Sequence, residues 1–241
     1  MSESFPAVTA AQMARVDRVM LDELGVDVLQ LMELAGRAVA TVARERFLGG
    51  DPRGRPVLVL AGGGGNGGDG LVAARLLHAW GAQVIVLLDR DPASLGGPAA
   101  HNHTILERLG LPPAPWDQSG IPTLPGADLV IDALLGFGLH GPPSGRTAAL
   151  IVAANTHPAP VLAVDLPSGL DATTGALYAP CVRAQATLNL ALPKSGLLTS
   201  TARPVVGDLY VADIGMPATV YARLGLTIPP LFARQEIVRL W

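Results

Sequence analysis

Short, continuous runs of Val, Ile and Leu recur along this chain, and between them the apolar residues fall at helical spacing. The runs predict strands at 57–61, 83–88, 128–132, 160–164, 185–191 and 208–213. Continuous apolar strands are buried on both faces, the mark of a mostly parallel sheet. Helices are predicted between them, near 68–79, 98–109, 144–156 and 216–224. Two more precede the first strand. One spans 9–24, with Thr9 placed to cap it, Met13, Val16, Met20 and Leu24 on one face, and Gly25 ending it. The other spans 27–47, starting at Asp27, with Val28, Leu31, Met32, Ala35, Val39, Val42 and Phe47 in one stripe. Glu33 and Arg37 stand four apart and read as a surface ion pair. Asp51–Gly54 is a turn, and Pro112, Pro113, Pro115, Pro122 and Pro125 mark an irregular connection. The alternation of strand and helix makes a doubly wound α/β fold, which binds ligands at the carboxyl ends of its strands.

Composition narrows the class of function. The net charge of −3 and the 15% charged content give no support for binding nucleic acid or a membrane surface. The apolar runs are shorter than the roughly 20 residues that cross a bilayer. The first residues, MSESFPAVTA, show no secretory signal, and Cys181 is the single cysteine, so the expected location is the reducing cytoplasm. Cys181 itself reads as a small buried apolar residue. His101 and His103 stand two apart and lack zinc-ligand spacing. Among 17 basic residues Lys194 is the one lysine, which suggests a place where a guanidinium cannot replace a compact ammonium.

Three strand ends carry the candidate chemistry. Ala61–Gly70 reads AGGGGNGGDG and joins the run Val57–Leu60 to a helix. A glycine turn before a helix start offers unpaired N–H groups to an anion. Gly63, Gly65 and Gly68 fit G-x-G-x-x-G, with Asp89 at about the 20-residue distance of a ribose-binding acid. Asp69 does not fit a phosphate cradle, because it would repel the phosphate. With Asn66 it supplies oxygens suited to hydroxyls or a hard cation. The second end is Asp132–Pro143, which includes His140, and the third is Asp165–Asp171. Three carboxylates aimed at one crevice repel each other unless a cation sits among them or one is protonated.

These segments resemble the YjeF N-terminal domain family, the NAD(P)H-hydrate epimerases. The likeness covers roughly 8–217: Thr9–Met13 with Asp17, Leu31–Gly36, Gly64–Gly70, Asp132–Gly138, Asp165–Leu170 and Leu192–Leu198, in the family's order. It implies a three-layer α/β/α Rossmann-like sandwich with a mostly parallel sheet and two N-terminal helices. It also implies a homodimer, a bound potassium ion, and interconversion of the R and S forms of NADHX and NADPHX in cofactor repair. Asn66, Asp132 and Ser168 fall at the family's potassium positions. Gly65, Asn66, Gly67, Gly68 and Asp69, the segment Gly136, Phe137, Gly138, Leu139, His140, Gly141 and Pro142, and Asp165 fall at its substrate positions. The sequence departs from the family where G-N-N-G-G-D has Gly65 and M-E-N-A-G has Leu34. A single domain, 1–241, is expected, without the fused dehydratase of some relatives and acting with a separate one. The two N-terminal helices are the expected dimer surface, unless their stripes pack on their own sheet.

The reaction sets the demands on the residues. The substrate carries a hydroxyl on a ring carbon next to nitrogen, so inversion passes through an iminium or an opened ring. Either route needs a group that gives and takes a proton. Asp165 is the candidate, the bland alternative being a loop cap. Lys194 is the second: it holds substrate or a neighbouring carboxylate, or it is a surface lysine in a Pro-Lys-Ser-Gly turn. Asn66, Asp132 and Ser168 offer one carboxylate with amide and hydroxyl oxygens, a low-charge set suited to a large monovalent ion. Two rival functions remain: an NAD-dependent dehydrogenase built on the glycine pattern and Asp89, and a non-catalytic scaffold of the same fold.

Overall fold

The computed structural model describes residues 6–114 and 122–241, so Pro115 of the proline-rich connection lies outside the described residues. Seven strands form one sheet: β1 (Pro56–Ala61), β2 (Gln83–Leu88), β3 (Leu129–Ala133), β4 (Val161–Val164), β5 (Ala186–Leu190), β6 (Asp208–Ala212) and β7 (Ile237–Arg239). Their order is β2-β1-β3-β4-β5-β6-β7, parallel throughout except for β7, which runs antiparallel to β6. The chain moves outward from β1 to β2 and then returns to the other side of β1. The direction of winding therefore reverses between β1 and β3, and the crevice opens at their carboxyl ends. Each of the six sequence-read strands is present, and β7 is an addition. Three residues without an apolar run give no strand signal of their own; β7 exists because β6 supplies a partner.

The strand residues alternate between two cores. Val57, Val59, Ala61, Leu129, Ile131 and Ala133 face the core built with α1 (Ala10–Arg18), α2 (Val28–Val42) and α3 (Gly65–Ala79). Leu58, Leu60, Val130 and Ala163 face Leu150, Ile151 and Ala154 of α5 (Gly145–Thr156). This gives the α/β/α layering. The remaining helices are α4 (Gly97–Arg108), α6 (Arg203–Val206) and α7 (Ala218–Ala222).

Both N-terminal helices start as their caps require. Thr9 with Gln12 and Asp27 with Gln30 each form a reciprocal capping box. Both helices continue beyond their α-helical part as single wide turns, Val19–Glu23 and Ala43–Phe47. Their stripes pack on their own sheet: Met13, Val16, Met20, Leu31, Met32, Ala35 and Val39 all belong to the main core. Glu33 does not pair with Arg37. It accepts a 2.7 Å hydrogen bond from Arg75 on α3, a neighbour in space that linear spacing does not reveal.

The glycine run is largely absorbed into α3, which starts at Gly65, three residues earlier than the pattern predicts. The reason is close packing. A Cβ on Gly67 would lie 1.7 Å from the Gly62 carbonyl oxygen, and one on Gly36 would lie 2.4 Å from Val72. A Cβ on Gly70 would meet Ala133 at 2.4 Å, and one on Gly68 would meet Met32 at 2.5 Å. Interior helical glycine costs about 1 kcal/mol each relative to alanine. Here that cost sets α3 directly against β1, β3 and α2, with its first turn at the crevice.

Candidate active site

A cavity of about 640 Å³ occupies the crevice between the carboxyl ends of β1 and β3, within the range of cofactor-sized sites. One wall is Gly63–Asn66 with Asp69, and another is Leu134–His140. Asp165 and Lys194 come from the ends of β4 and β5, and Met13, Asp17 and Leu21 come from the first helical segment. The three unusual strand ends thus meet in one site.

Asp165 and Lys194 form an ion pair in which the two side chains are 5% and 2% exposed. The Lys194 ammonium donates to Asp165 Oδ1 and, at 2.8 Å, to the Leu190 carbonyl. Lys194 is therefore no surface lysine. A buried charge pair of this kind needs close geometry and further hydrogen bonds to offset its desolvation, and the loop supplies them. Asn189 donates to the carbonyls of Leu190 (2.9 Å) and Leu192 (3.1 Å) and accepts from the Lys194 N–H (3.1 Å). Val8 pairs with the same segment through Val8 N–H to the Pro193 carbonyl and Ser195 N–H to the Val8 carbonyl. Asp165 and Ala191 are the two non-glycine residues with positive φ among the described residues, at 63° and 64°. Left-handed backbone costs roughly 1–2 kcal/mol in such residues. Both sit beside the ion pair, where strain of this kind concentrates in functional sites.

Two more carboxyls face the pair, and neither makes a hydrogen bond among the described residues. Asp69 is buried; burial raises its pKa well above the ordinary carboxyl value, and Asp165 adds to the rise. Asp17 is pushed up to about 6 by burial, with Lys194 pulling it down and Asp165 pushing it up. One ammonium thus serves three carboxyls. The sequence predicts Asp69, Asp132 and Asp165 in one crevice; Asp132 instead lies on the α5 face of the sheet, Asp17 joins the other two, and Lys194 offsets their charge.

Behind the cavity wall lies a second polar cluster. Asp132 sits on the α5 side of β3, fully buried. Its carboxylate accepts from Ser168 Oγ (2.6 Å), Ser168 N–H (2.8 Å) and Leu134 N–H (3.3 Å). Burial pushes it up to about 6 even though the Ser168 hydrogen bonds pull it down. Ser168 Oγ also accepts from Leu135 N–H at 2.9 Å, which ties the β3 and β4 loops together. The amide oxygen and nitrogen of Asn66 are buried with no partner among the described residues. The orphaned Asn66 amide, the buried Asp132 carboxylate and the Ser168 hydroxyl together offer one charge and neutral oxygens, the kind of donor set that fits a monovalent cation.

Other expectations are corrected. Gly67 and Gly68 do not line the cavity, and neither do Gly141 and Pro142. The exposed His140 does line it. Asp89 cannot serve as a ribose acid: its side chain is 1% exposed and held by Arg90 (2.7 Å) and Thr147 (2.8 Å). Cys181, expected to be a small buried residue, is partly exposed, and burial pushes its thiol up to about 12. His103 is buried with Nδ1 3.5 Å from Glu107. No cluster of three His, Cys, Asp or Glu side chains able to hold a metal occurs among the described residues. No described helix is long and apolar enough to cross a membrane. Sequence reasoning assigned no role to Asp17 or Asn189. The signal for Asp17 was a carboxylate inside the buried stripe Met13-Val16-Met20.

Of the two departures from the family pattern, Leu34 is 43% exposed and lies off the cavity. Gly65 lines the cavity at an ordinary φ, and a Cβ added there would have no neighbour within 4 Å. Gly65→Asn is therefore expected to shift Tm by less than about 2 °C and to lower KM for a ligand of this cavity. Calorimetry and steady-state kinetics check both.

The family model for the YjeF-related protein N-terminus matches residues 28–196. The NAD(P)H-hydrate epimerase of Dehalogenimonas lykanthroporepellens is 40% identical over 228 residues, covering 93% of this chain and 88% of that protein. The NAD(P)H-hydrate epimerase of Limosilactobacillus fermentum is 38% identical, covering 86% of this chain and 96% of that one. The bifunctional NAD(P)H-hydrate repair enzyme of Moorella thermoacetica is 40% identical, and this chain spans only 41% of its length. The crystal structure of yeast ynu0 superposes with a TM-score of 0.81 at 25% identity, covering 98% of this chain and all of that one.

Proposed function

We propose that this chain, which belongs to the family of YjeF-related protein N-termini, epimerises hydrated NADH and NADPH, interconverting their R and S forms in repair of nicotinamide cofactors. The observation that carries the reading is the buried Asp165–Lys194 pair opening onto a cofactor-sized cavity, in a chain that covers nearly the whole length of named epimerases. Asp165 exchanges a proton with the substrate hydroxyl as the adjacent carbon inverts. Lys194 orients that carboxylate and balances its charge. Gly65, Asn66 and Asp69 contact substrate from one wall and Gly136–His140 from the other, while Gly67 and Gly68 shape the loop. Incubating purified (R)-NADHX with the protein and separating the isomers by chromatography tests the reading. Enzyme-dependent appearance of the S isomer supports it; a rate equal to the buffer's rejects it.

Asn66, Asp132 and Ser168 would hold potassium, whose charge would balance Asp132 and tie the glycine loop to the β3 and β4 loops. A ligand that binds only the folded state stabilises it by about 2.7 kcal/mol at 100-fold its Kd. Replacing choline by potassium is therefore expected to raise Tm by about 4 °C or more. Asp132→Asn should abolish the response. An equal Tm in both salts would remove potassium from the assignment.

The working unit in this reading acts in the cytoplasm together with an NAD(P)H-hydrate dehydratase. It is a homodimer. The first two helices keep Leu24, Val28 and Leu34 exposed on or beside them, apolar area that a second copy would cover.

A further inference from the structure

We infer that Asp17 is a second proton-transfer group of the epimerisation, serving the ring face opposite the one served by Asp165; this rests on the epimerase reading above. Inversion at a carbon that loses and regains water needs chemistry on both faces of the ring. One group must protonate the departing hydroxyl, and another must take a proton from the water that adds on the other side. The cavity holds two carboxyls suited to this, on different elements. Asp165 stands at the end of β4, and Asp17 stands on α1. Asp69, the third, also lines the cavity but is buried in α3, whereas Asp17 is half-buried and the most open of the three.

Asp17 is held in place by its own helix and not by a partner. The capping box at Thr9 starts α1, and Ala10 N–H donates to Thr173 Oγ1 at 3.0 Å. Val8, just before the cap, is locked to the Lys194 segment. Met13, Val16 and Met20 seat the helix on the core, leaving Asp17 half-buried at the cavity. Its carboxyl makes no hydrogen bond or ion pair among the described residues, so it is open to substrate. The groups that face it electrostatically are Lys194 and Asp165 from the strand ends, Asp69 from α3 and Tyr221 from α7. Burial pushes Asp17 up to about 6, with Lys194 opposing and Asp165 adding to the rise, a value from which a carboxyl serves as either acid or base near neutral pH.

The step balances as follows. Protonated Asp17 gives its proton to the hydroxyl of one isomer. The C–O bond breaks with its electron pair on oxygen, and water leaves. The ring nitrogen's lone pair forms the C=N bond of an iminium cation, next to the newly charged Asp17 carboxylate. Water then adds to the opposite face, the C=N pair returns to nitrogen, and Asp165 takes the proton released. The reverse reaction runs with Asp165 as donor and Asp17 as acceptor. A cavity with three carboxyls and one ammonium favours such a cation over an anionic intermediate.

The test uses the full-length protein with each isomer in H₂¹⁸O. The wild type is expected to invert both isomers and to place ¹⁸O in the hydroxyl of each. Asp17→Asn is expected to invert on the order of 100-fold or more slowly, with KM within about threefold and an unchanged melting curve. The variant should still exchange oxygen into one isomer only, with retention, through the face Asp165 serves. Asp17→Glu should recover part of the turnover. Three results would overturn the assignment: Asp17→Asn inverting at near wild-type rate, exchange lost equally from both isomers in a folded variant, or inversion by the wild type without ¹⁸O uptake. A wild type that inverts neither isomer would instead overturn the epimerase reading on which the assignment rests.

Discussion

Asp165→Asn is expected to lower epimerase turnover by about 10²–10⁴-fold, the usual contribution of a positioned proton-transfer group. Asparagine is the most informative replacement at this position. The backbone of Asp165 is left-handed, at φ 63°, and asparagine tolerates that region nearly as well as any non-glycine residue. The change therefore removes the charge and leaves the backbone in place. It also leaves the Lys194 ammonium, which is 1% exposed, without a counter-charge, holding only neutral acceptors such as the Leu190 carbonyl. Removing one partner of a buried pair costs about 3–5 kcal/mol, so the variant should melt well below the wild type. The double variant Asp165→Asn/Lys194→Met separates the two effects, because it leaves no unpaired charge. Its Tm should rise back toward the wild type while turnover stays low. Turnover within tenfold of the wild type in either variant would show that Asp165 is a structural residue.

The second large effect is expected from Gly67→Ala. The added carbon would lie 1.7 Å from the Gly62 oxygen, 2.6 Å from its carbonyl carbon and 2.9 Å from its nitrogen. All three obstacles are backbone, at the β1–α3 turn, so no side chain can swing away. We expect a loss of about 3 kcal/mol or more, or roughly 6–12 °C in Tm for a chain of this size. Asn66 is the preceding residue, so activity should fall in whatever fraction remains folded. Differential scanning calorimetry beside Gly65→Asn makes the comparison, since the neighbouring position has open space. Equal melting temperatures for the two variants would contradict the packing derived for α3.

The fold was legible because its determinants are local. Continuous apolar runs mark strands covered on both faces, and Thr9 and Asp27 mark helix starts through reciprocal hydrogen bonds within four residues. Lys194 was legible for a compositional reason, as the one lysine in an arginine-rich chain, and it proves to be paired and buried. What sequence hid depends on distance. Glu33 pairs with Arg75, 42 positions away, and Asp89 is sequestered by Thr147, 58 positions away. The glycines of 62–70 read as a ligand loop, but several are there because two backbones touch, and no local pattern separates these causes. Asp17 sits in a buried stripe like any polar residue at a helix edge; its meaning comes from α1 being docked over the ends of β4 and β5.

The measurement that bears most directly on the epimerase reading is recovery of the R isomer by a coupled dehydratase. A stereospecific dehydratase that consumes only (S)-NADHX is supplied with an R/S mixture in potassium buffer, and NADH absorbance is followed with and without this protein. The expected result is rapid recovery of the S fraction in both cases, followed by fast recovery of the R fraction only when the protein is present and Asp165 is intact. Recovery of the R fraction at the uncatalysed rate, with folded protein in the cuvette, would contradict the epimerase assignment.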